Sequence, residues 1–310
     1  MKQIAEELLL HLAERGYQGR VVSAKRLHDL REEIEGGHRQ GLFDKGFYDE
    51  RLAKFDFRIP ESLEEVMSLI VVAIPRPQSQ VVFTWNGETQ TLVLPPTYVA
   101  YEDTRKQVED LLAGILGKKG YHVARAALPL KLLAVRSGLG WYGRNNICYV
   151  PGMGSFLQLL AVYSDLSCQK DNWRELQMMK SCQNCHVCHQ QCPTGAIPSD
   201  RFLLRAERCI TFHNEKQGEI PFPVWMNPSW HNCLVGCLHC QKVCPQNRDF
   251  LKLIEGRKKF SEEETGLLLE RVPRDRLPTA TVRKLEQLDL IEYLNSFPRN
   301  LGVFFKKGEC

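Results

Sequence analysis

The 310-residue chain has no run approaching eighteen apolar residues, which excludes a conventional membrane-spanning helix. No secretory leader is expected at its start. M-K-Q-I-A-E-E-L-L-L-H-L-A-E-R-G-Y sets Ile4, Leu8, Leu9, Leu12 and Ala13 at helical spacing with Glu6, Glu7 and Glu14 between them, and no small-residue cleavage site follows. This predicts an amphipathic helix on a cytoplasmic protein with no membrane partner. An excess of one charge is missing too: 41 basic against 37 acidic residues leave +4, so net charge argues for neither nucleic acid nor a membrane surface. No fixed-period internal repeat is visible. With 43% hydrophobic residues the chain can bury a sizeable core. Cysteine, by contrast, is abundant at 12 residues, and in a reducing compartment these are not expected to pair as disulfides.

Along the chain, A-K-R-L-H-D-L-R-E-E-I-E-G-G reads as a short amphipathic piece ending in a turn at Gly36-Gly37. M-S-L-I-V-V-A-I-P reads as a buried strand stopped by Pro75 and Pro77, and Q-T-L-V-L-P-P as a second. E-D-T-R-K-Q-V-E-D-L-L-A-G-I-L-G-K-K-G is a helix with Val108, Leu111, Leu112 and Leu116 inward, closed by Gly117 or Gly120. A strand at Y-H-V-A-R-A-A-L, a short helix at P-L-K-L-L-A-V-R-S-G and a strand at S-F-L-Q-L-L-A-V-Y-S-D-L follow. This alternation predicts an α/β domain over residues 1–175. A cysteine-rich domain over 176–255 comes next, its fold dependent on what the cysteines bind. A short helical C-terminal cap over 256–310 opens with a capping box at Ser261 and Glu264 and continues with Leu285, Leu288, Ile291 and Leu294 at helical spacing.

Nine cysteines lie between Cys182 and Cys244, leaving Cys148, Cys168 and Cys310 outside. Cys182, Cys185, Cys188 and Cys192-Pro193 are spaced C-x2-C-x2-C-x3-C-P, the bacterial ferredoxin run, in which three thiolates hold one iron-sulfur cube and the fourth reaches a second. G-C-L-H-C-Q-K-V-C-P repeats the pattern one ligand short, and Cys209 can supply the missing thiolate. Two 4Fe-4S clusters follow, one on Cys182, Cys185, Cys188 and Cys244 and the other on Cys192, Cys209, Cys237 and Cys240. Cys233 is left over, as an alternative to Cys209. Two overlapping Cys-x-x-Cys-His copies also match c-type haem attachment, but they share Cys185. A zinc site needs only four ligands and leaves the third cysteine at x2 spacing and the Cys-Pro in both groups unexplained. His186, His189 and His239 read as groups around the clusters or on the surface.

A-V-R-S-G-L-G-W-Y-G-R-N-N precedes the cysteines. Its G-L-G-W-Y-G matches the dinucleotide fingerprint, but it follows a helix and leads into the strand I-C-Y-V, where that fingerprint should follow a strand and open a helix. Two readings stay open: a tight turn packing Trp141 on the core, or a turn whose backbone approaches a large flat cofactor.

R-S-G-L-G-W-Y-G-R-N-N, then G-S-F-L-Q-L-L-A-V-Y-S-D-L, then the cysteine run with C-P-T-G-A-I, R-C-I-T-F and G-C-L-H-C-Q-K-V-C-P, together resemble the epoxyqueuosine reductases over roughly residues 60 to 250. The reductive dehalogenases are more distant relatives. The resemblance implies a nitroreductase-like α+β domain that binds cobalamin, with a ferredoxin-like double 4Fe-4S domain delivering electrons to the cobalt. The reaction implied is reduction of an epoxide on a modified tRNA base to the alkene of queuosine, with a ferredoxin or flavodoxin as electron donor. Residue by residue, the family's catalytic aspartate falls on Asp103, while Gly138, Gly140, Trp141, Gly143 and Arg144 shape the corrin pocket. Asp103 would be the proton donor, its pKa raised by burial beside the corrin. A helix start also favours acids such as Glu102 and Asp103.

The chain departs from the family at Thr104 and Arg105, which replace the tyrosine and histidine after the aspartate, and at Lys131, which replaces an acid. The family's full-length members continue into helical repeats that grip tRNA, whereas this chain ends soon after the cysteines. Basic residues in F-L-K-L-I-E-G-R-K-K-F and R-V-P-R-D-R-L-P-T-A-T-V-R-K could meet phosphates, although such clusters are usually a solvated face. The same redox machinery could instead act on a small organic or halogenated substrate, reduce a corrinoid on a partner, or work without cobalamin.

Overall fold

The computed structural model describes residues 2–305. The chain opens with α1 (Lys2–Ala13), β1 (Gln18–Ser23), α2 (Arg26–Arg39) and α3 (Lys45–Glu50), then β2 (Ser68–Pro75), β3 (Gln78–Trp85) and β4 (Glu88–Leu94). Next come α4 (Tyr101–Gly117), β5 (Val123–Arg125), α5 (Leu130–Arg136), β6 (Trp141–Tyr142), β7 (Cys148–Tyr149) and β8 (Leu157–Ser164). One-turn helices α6 (Val187–Gln190), α7 (Ile210–Asn214) and α8 (His239–Lys242) mark the cysteine region. β9 (Ile254–Phe260), α9 (Glu262–Leu269), α10 (Thr279–Glu286) and α11 (Phe297–Phe305) complete the described chain. No helix among the described residues is long and apolar enough to cross a membrane.

These elements form two compact units that do not follow the three expected segments. The first takes the chain up to Pro75, Asp103–His186 and Ser199–Leu204; the second takes Arg76–Glu102, Val187–Pro198 and the chain from Arg205 onward.

The first unit is built on a sheet of order β1-β2-β8-β5. Every residue of β2 before Pro75 is buried because both faces are covered. Side chains alternate across a strand, so Leu69, Val71 and Ala73 pack with Leu30 and Ile34 of α2 and Leu133 of α5. Ile70, Val72 and Ile74 pack with Leu8 and Leu12 of α1 and Val108, Leu112 and Leu116 of α4. Each such side chain contributes about 1.5–3 kcal/mol on burial. The fold is mixed α/β as expected, but all three strand pairings are antiparallel. The turn expected at Gly36-Gly37 is instead part of α2, where a Cβ on Gly37 would stand 2.7 Å from the Phe43 ring.

The second unit holds a sheet of order β4-β3-β9. Asn86 (φ 49) and Gly87 (φ 76) join β3 to β4 in the left-handed conformation that a two-residue hairpin turn demands. β9 pairs in parallel with β3, and Phe260 stacks on Phe83 at 4.8 Å. The expected helical cap therefore begins with a strand. Its capping box is present, Ser261 accepting from the Glu264 amide and Glu264 from the Ser261 amide. The helix expected to run through Ile291 and Leu294 breaks at Asp289 (φ 53), winds as a 3-10 helix over Ile291–Ser296 and continues as α11.

Candidate metal centre and the glycine turn

In the second unit, the later halves of the two cysteine runs fold alike. α6 carries Cys188 and α8 carries Cys240, each in a single turn, and the two helices pack together. In both, the chain then bends toward a Cys-Pro: the Cys192 amide donates to the His189 carbonyl at 3.3 Å, and the Cys244 amide to that of Gln241 at 3.3 Å. His189 bonds the Ile197 carbonyl through Nδ1 at 2.6 Å and His239 the Trp230 carbonyl through Nε2 at 2.8 Å, which fixes the orientation of each ring. His231 is buried with neither ring nitrogen bonded among the described residues, and burial pushes its pKa down to about 4.

Burial raises the Cys209 thiol, as does its neighbour Cys192, while Cys237 is raised by burial and by its neighbours Cys209, Cys240 and Cys233. Amides of Thr211 and Phe212 and the Thr211 hydroxyl bond Cys209, and the His239 amide bonds Cys237. Desolvated thiols ringed by N–H donors fit an anionic iron-sulfur cluster, whose iron keeps thiolates ionised where burial alone would not. All eleven cysteines among the described residues are free thiols. No three His, Cys, Asp or Glu side chains among the described residues close on a single ion; a four-iron cube asks each thiolate for a different iron. Cys233 is fully buried, its thiol pushed up to about 12 by desolvation. Cys310 lies outside the described residues.

Tyr98 donates its buried hydroxyl to Glu215, and burial raises its pKa further above the usual phenol range. Its ring stands where a Cβ on Gly236 would fall, 2.6 Å away, and Gly236 has φ +69, so the glycine before Cys237 is required twice over. From α11, the Asn300 amide donates to the carbonyls of Asn214 (2.8 Å) and Leu234 (2.9 Å), and Asn214 in turn to Gly236 (2.9 Å). Nothing near these positions in the sequence announces them as supports of a metal centre.

In the first unit, α5 ends at Gly138, whose φ of +73 closes the helix as Val135 and Ala134 accept the amides that follow. The turn then enters the β6–β7 hairpin, as its sequence context predicts. Its glycines are filled by the chain itself. A Cβ would stand 2.6 Å from Arg174 at Gly138, 2.5 Å from the Tyr149 carbonyl oxygen at Gly140, and 2.5 Å from Asn145 at Gly143. Trp141 does not pack on the core; 37% of its surface is exposed. Arg144 grips the first cysteine loop, donating to the carbonyls of Cys182 (2.8 Å), Gln183 (3.2 Å) and Cys185 (2.9 Å). Asp103 stands exposed in the first turn of α4, while Thr104 and Arg105 are buried and Lys131 is exposed. Arg105 pairs with Glu109 at 3.1 Å. Of the residues drawn from the resemblance, Asp103 and Trp141 are accessible. The glycines serve the hairpin, and Arg144 serves the cysteine loop. For a corrinoid, the turn thus offers a flat aromatic face at Trp141 and no empty cradle at its glycines.

Gly140→Ala is expected to destabilise the protein by about 1–3 kcal/mol, because the new methyl meets backbone and not a flexible side chain. A thermal melt unchanged from the parent's would show that the hairpin yields freely.

A 4Fe-4S double cluster binding domain family matches residues 181–247. The chain is 26% identical to an epoxyqueuosine reductase of Staphylococcus aureus over 230 residues, 71% of this chain and 58% of that protein. It is 33% identical to one of Atelocyanobacterium thalassa over 131 residues, 42% of this chain and 41% of the relative. The chain therefore spans between two fifths and three fifths of these relatives. In structure it is similar to the epoxyqueuosine reductase of Streptococcus thermophilus, with a TM-score of 0.66 at 20% identity over 96% of this chain and 79% of that one. It is equally similar to an epoxyqueuosine reductase solved with an epoxyqueuosine-modified tRNA stem loop, TM-score 0.66 at 20% identity over 97% and 80% of the two chains. In sequence and in fold, then, the chain is epoxyqueuosine reductase-like, with a double 4Fe-4S cluster domain over residues 181–247.

Proposed function

We propose that the chain is an iron-sulfur reductase of the epoxyqueuosine reductase kind, acting on an epoxide of a modified tRNA base with cobalamin as the group its clusters serve. The observation that carries this reading is the paired cysteine runs, with four thiols gathered in one unit and the first loop gripped by Arg144. Spacing assigns Cys182, Cys185, Cys188 and Cys244 to one cluster and Cys192, Cys209, Cys237 and Cys240 to the other. Cobalamin belongs to the proposal through the resemblance, and when bound it supplies a metal centre that passes the clusters' electrons to carbon.

Reducing an epoxide to an alkene takes two electrons and two protons and releases water. The opened ring leaves an alkoxide, which departs as water only when protonated, and an accessible carboxyl can deliver that proton. Asp103, exposed in the first turn of α4, is the proton donor in this reading. A reduced ferredoxin or flavodoxin, oxidised in turn, is the electron source in this reading.

Protein reconstituted anaerobically with iron, sulfide and hydroxocobalamin is expected to hold about eight irons and a retained corrinoid visible by EPR. Asp103→Asn should keep both and abolish turnover of an epoxyqueuosine-bearing tRNA stem loop. Full activity in that variant would remove Asp103 from the reaction, and iron without corrinoid would leave a two-cluster electron carrier.

A further inference from the structure

The first cysteine run ends in Cys192-Pro193-Thr194-Gly195. Pro193 takes the position of a β-turn that favours proline, and the Gly195 amide closes the turn on the Cys192 carbonyl at 3.2 Å. Closing it folds Thr194 back on the cysteine, so that its hydroxyl oxygen stands 3.5 Å from the Cys192 sulfur. Thr194 is buried, which keeps bulk water from competing for that hydroxyl. Its backbone is pinned as well: Arg208 Nε donates to the Thr194 carbonyl at 2.9 Å, and Arg208 directly precedes Cys209. The turn after one thiol is thus tied to the residue before another thiol assigned to the same cluster.

Between a free thiol and a hydroxyl either group can donate. A sulfur that holds iron has given up its proton and can only accept, so the hydroxyl becomes the donor. An electron added to a 4Fe-4S cluster increases the negative charge on its sulfurs. A hydrogen bond to such a sulfur therefore stabilises the reduced form more than the oxidised one, and the reduction potential rises. Burial strengthens the effect, because the bond is not screened by water. Packing alone does not call for threonine here, since valine has the same branched shape at Cβ. Cys209 receives the Thr211 hydroxyl in the same way.

We propose that Thr194 tunes one of the two clusters: its hydroxyl donates to the Cys192 thiolate and raises the reduction potential of the cluster held by Cys192, Cys209, Cys237 and Cys240. This rests on the ligand assignment in the function proposed above. The fourth cysteine of a ferredoxin run reaches across to the second cluster, so a residue two places beyond Cys192 acts on the cluster that the later run mainly builds. Thr194 acts through Cys192 and meets neither substrate nor electron carrier. A higher potential favours the transfer in which the soluble carrier loses one electron and this cluster gains it, with no bond made or broken.

The test is an anaerobic redox titration of the iron- and sulfide-loaded protein with dithionite and mediators, followed by EPR. The parent is expected to hold about eight irons and to be reduced in two one-electron steps. In Thr194→Val, which keeps the branched shape and drops the hydroxyl, one step should become about tenfold less favourable, a fall of about 59 mV for one electron. The other step should stay where it was. Thr194→Ser keeps the hydroxyl and should keep the parent's potential. A role in packing alone would move both steps or escape rescue by serine, and either result overturns the proposal. Parent potentials in a Thr194→Val protein with its full iron overturn it too. If Thr194→Val sheds iron, Thr194→Ala, which takes up less room, decides by the same readings; iron lost there as well would make Thr194 a support of the fold and overturn the tuning. A parent that takes up no iron overturns the reading of the cysteines, and the tuning with it.

Discussion

Cys209→Ala is expected to halve the iron of the reconstituted protein, from about eight to about four per chain, whereas Cys233→Ala leaves it unchanged. The two cysteines compete for the same ligand position by sequence, and their surroundings separate them. Cys209 caps α7 and receives the amides of Thr211 and Phe212, with Cys192 and Cys237 near enough to act on its thiol. Cys233 is fully buried, its thiol is raised to about 12, and its carbonyl accepts from Asn214 at 3.4 Å. A ligand must give up its proton to iron, and the bonds from the Thr211 amide, the Thr211 hydroxyl and the Phe212 amide stabilise a thiolate at Cys209 more than the one amide of Leu238 does at Cys233. The readout is iron content together with the EPR spectrum of the reduced protein, which in Cys209→Ala should show one isolated cluster. Iron lost with Cys233→Ala and kept with Cys209→Ala would exchange the two assignments.

Residues whose role is local were legible in the sequence. The run from Leu69 to Ile74 reads as a buried strand because helices cover both its faces and every side chain there is apolar. The capping box at Ser261 and the two C-x2-C runs are likewise local patterns with local causes. What stayed hidden depends on distant partners. Ile254–Phe260 reads as a charged, solvated stretch, and it becomes a strand because its backbone finds β3 and Phe260 finds Phe83. That same pairing draws Arg76–Glu102 into the second unit and away from the segment in which sequence order places it. Gly36-Gly37 looked like a turn, and only the position of Phe43 explains a glycine inside a helix.

The glycine turn shows the same limit from the other side. Gly138, Gly140 and Gly143 read as a tight turn or as backbone that approaches a flat cofactor, and in the structure a Cβ at each would meet atoms of the chain itself. Which atoms fill the space is invisible to the sequence: they are those of Arg174, Tyr149, Cys148 and Asn145. Arg144 reads as a cofactor contact by resemblance, and what the sequence does not show is that its guanidinium is spread over three carbonyls of the first cysteine loop. A resemblance transfers the importance of a residue more safely than its role.

Arg299→Ala is expected to lower the stability of the cluster-loaded protein by about 3 kcal/mol, with Arg299→Lys recovering only part of the loss. From α11, Nη1 donates to the carbonyls of Gln217 (3.1 Å) and Ile220 (2.6 Å), and Nη2 to those of His213 (3.0 Å), Asn214 (3.4 Å) and Lys216 (3.0 Å). Nε donates to Asn300 at 3.0 Å, and the plane lies over the Phe222 ring. One fork of donors thus gathers five carbonyls at the end of α7 and the root of the Ile220–Trp225 loop, a geometry that a planar guanidinium supplies and a point-charge ammonium does not. Burial lowers its pKa to about 10, so it remains charged at neutral pH. Because several of these carbonyls border solvent and can be rehydrated, the expected loss is smaller than the sum of five charge-assisted bonds. Anaerobic urea unfolding reads the effect as a lower midpoint at constant slope. Since Cys209 caps the helix whose end Arg299 holds, Arg299→Ala should also lose iron from the Cys209 cluster before the other. A lysine variant as stable as the parent would mean that charge alone, and not the fork, does the holding.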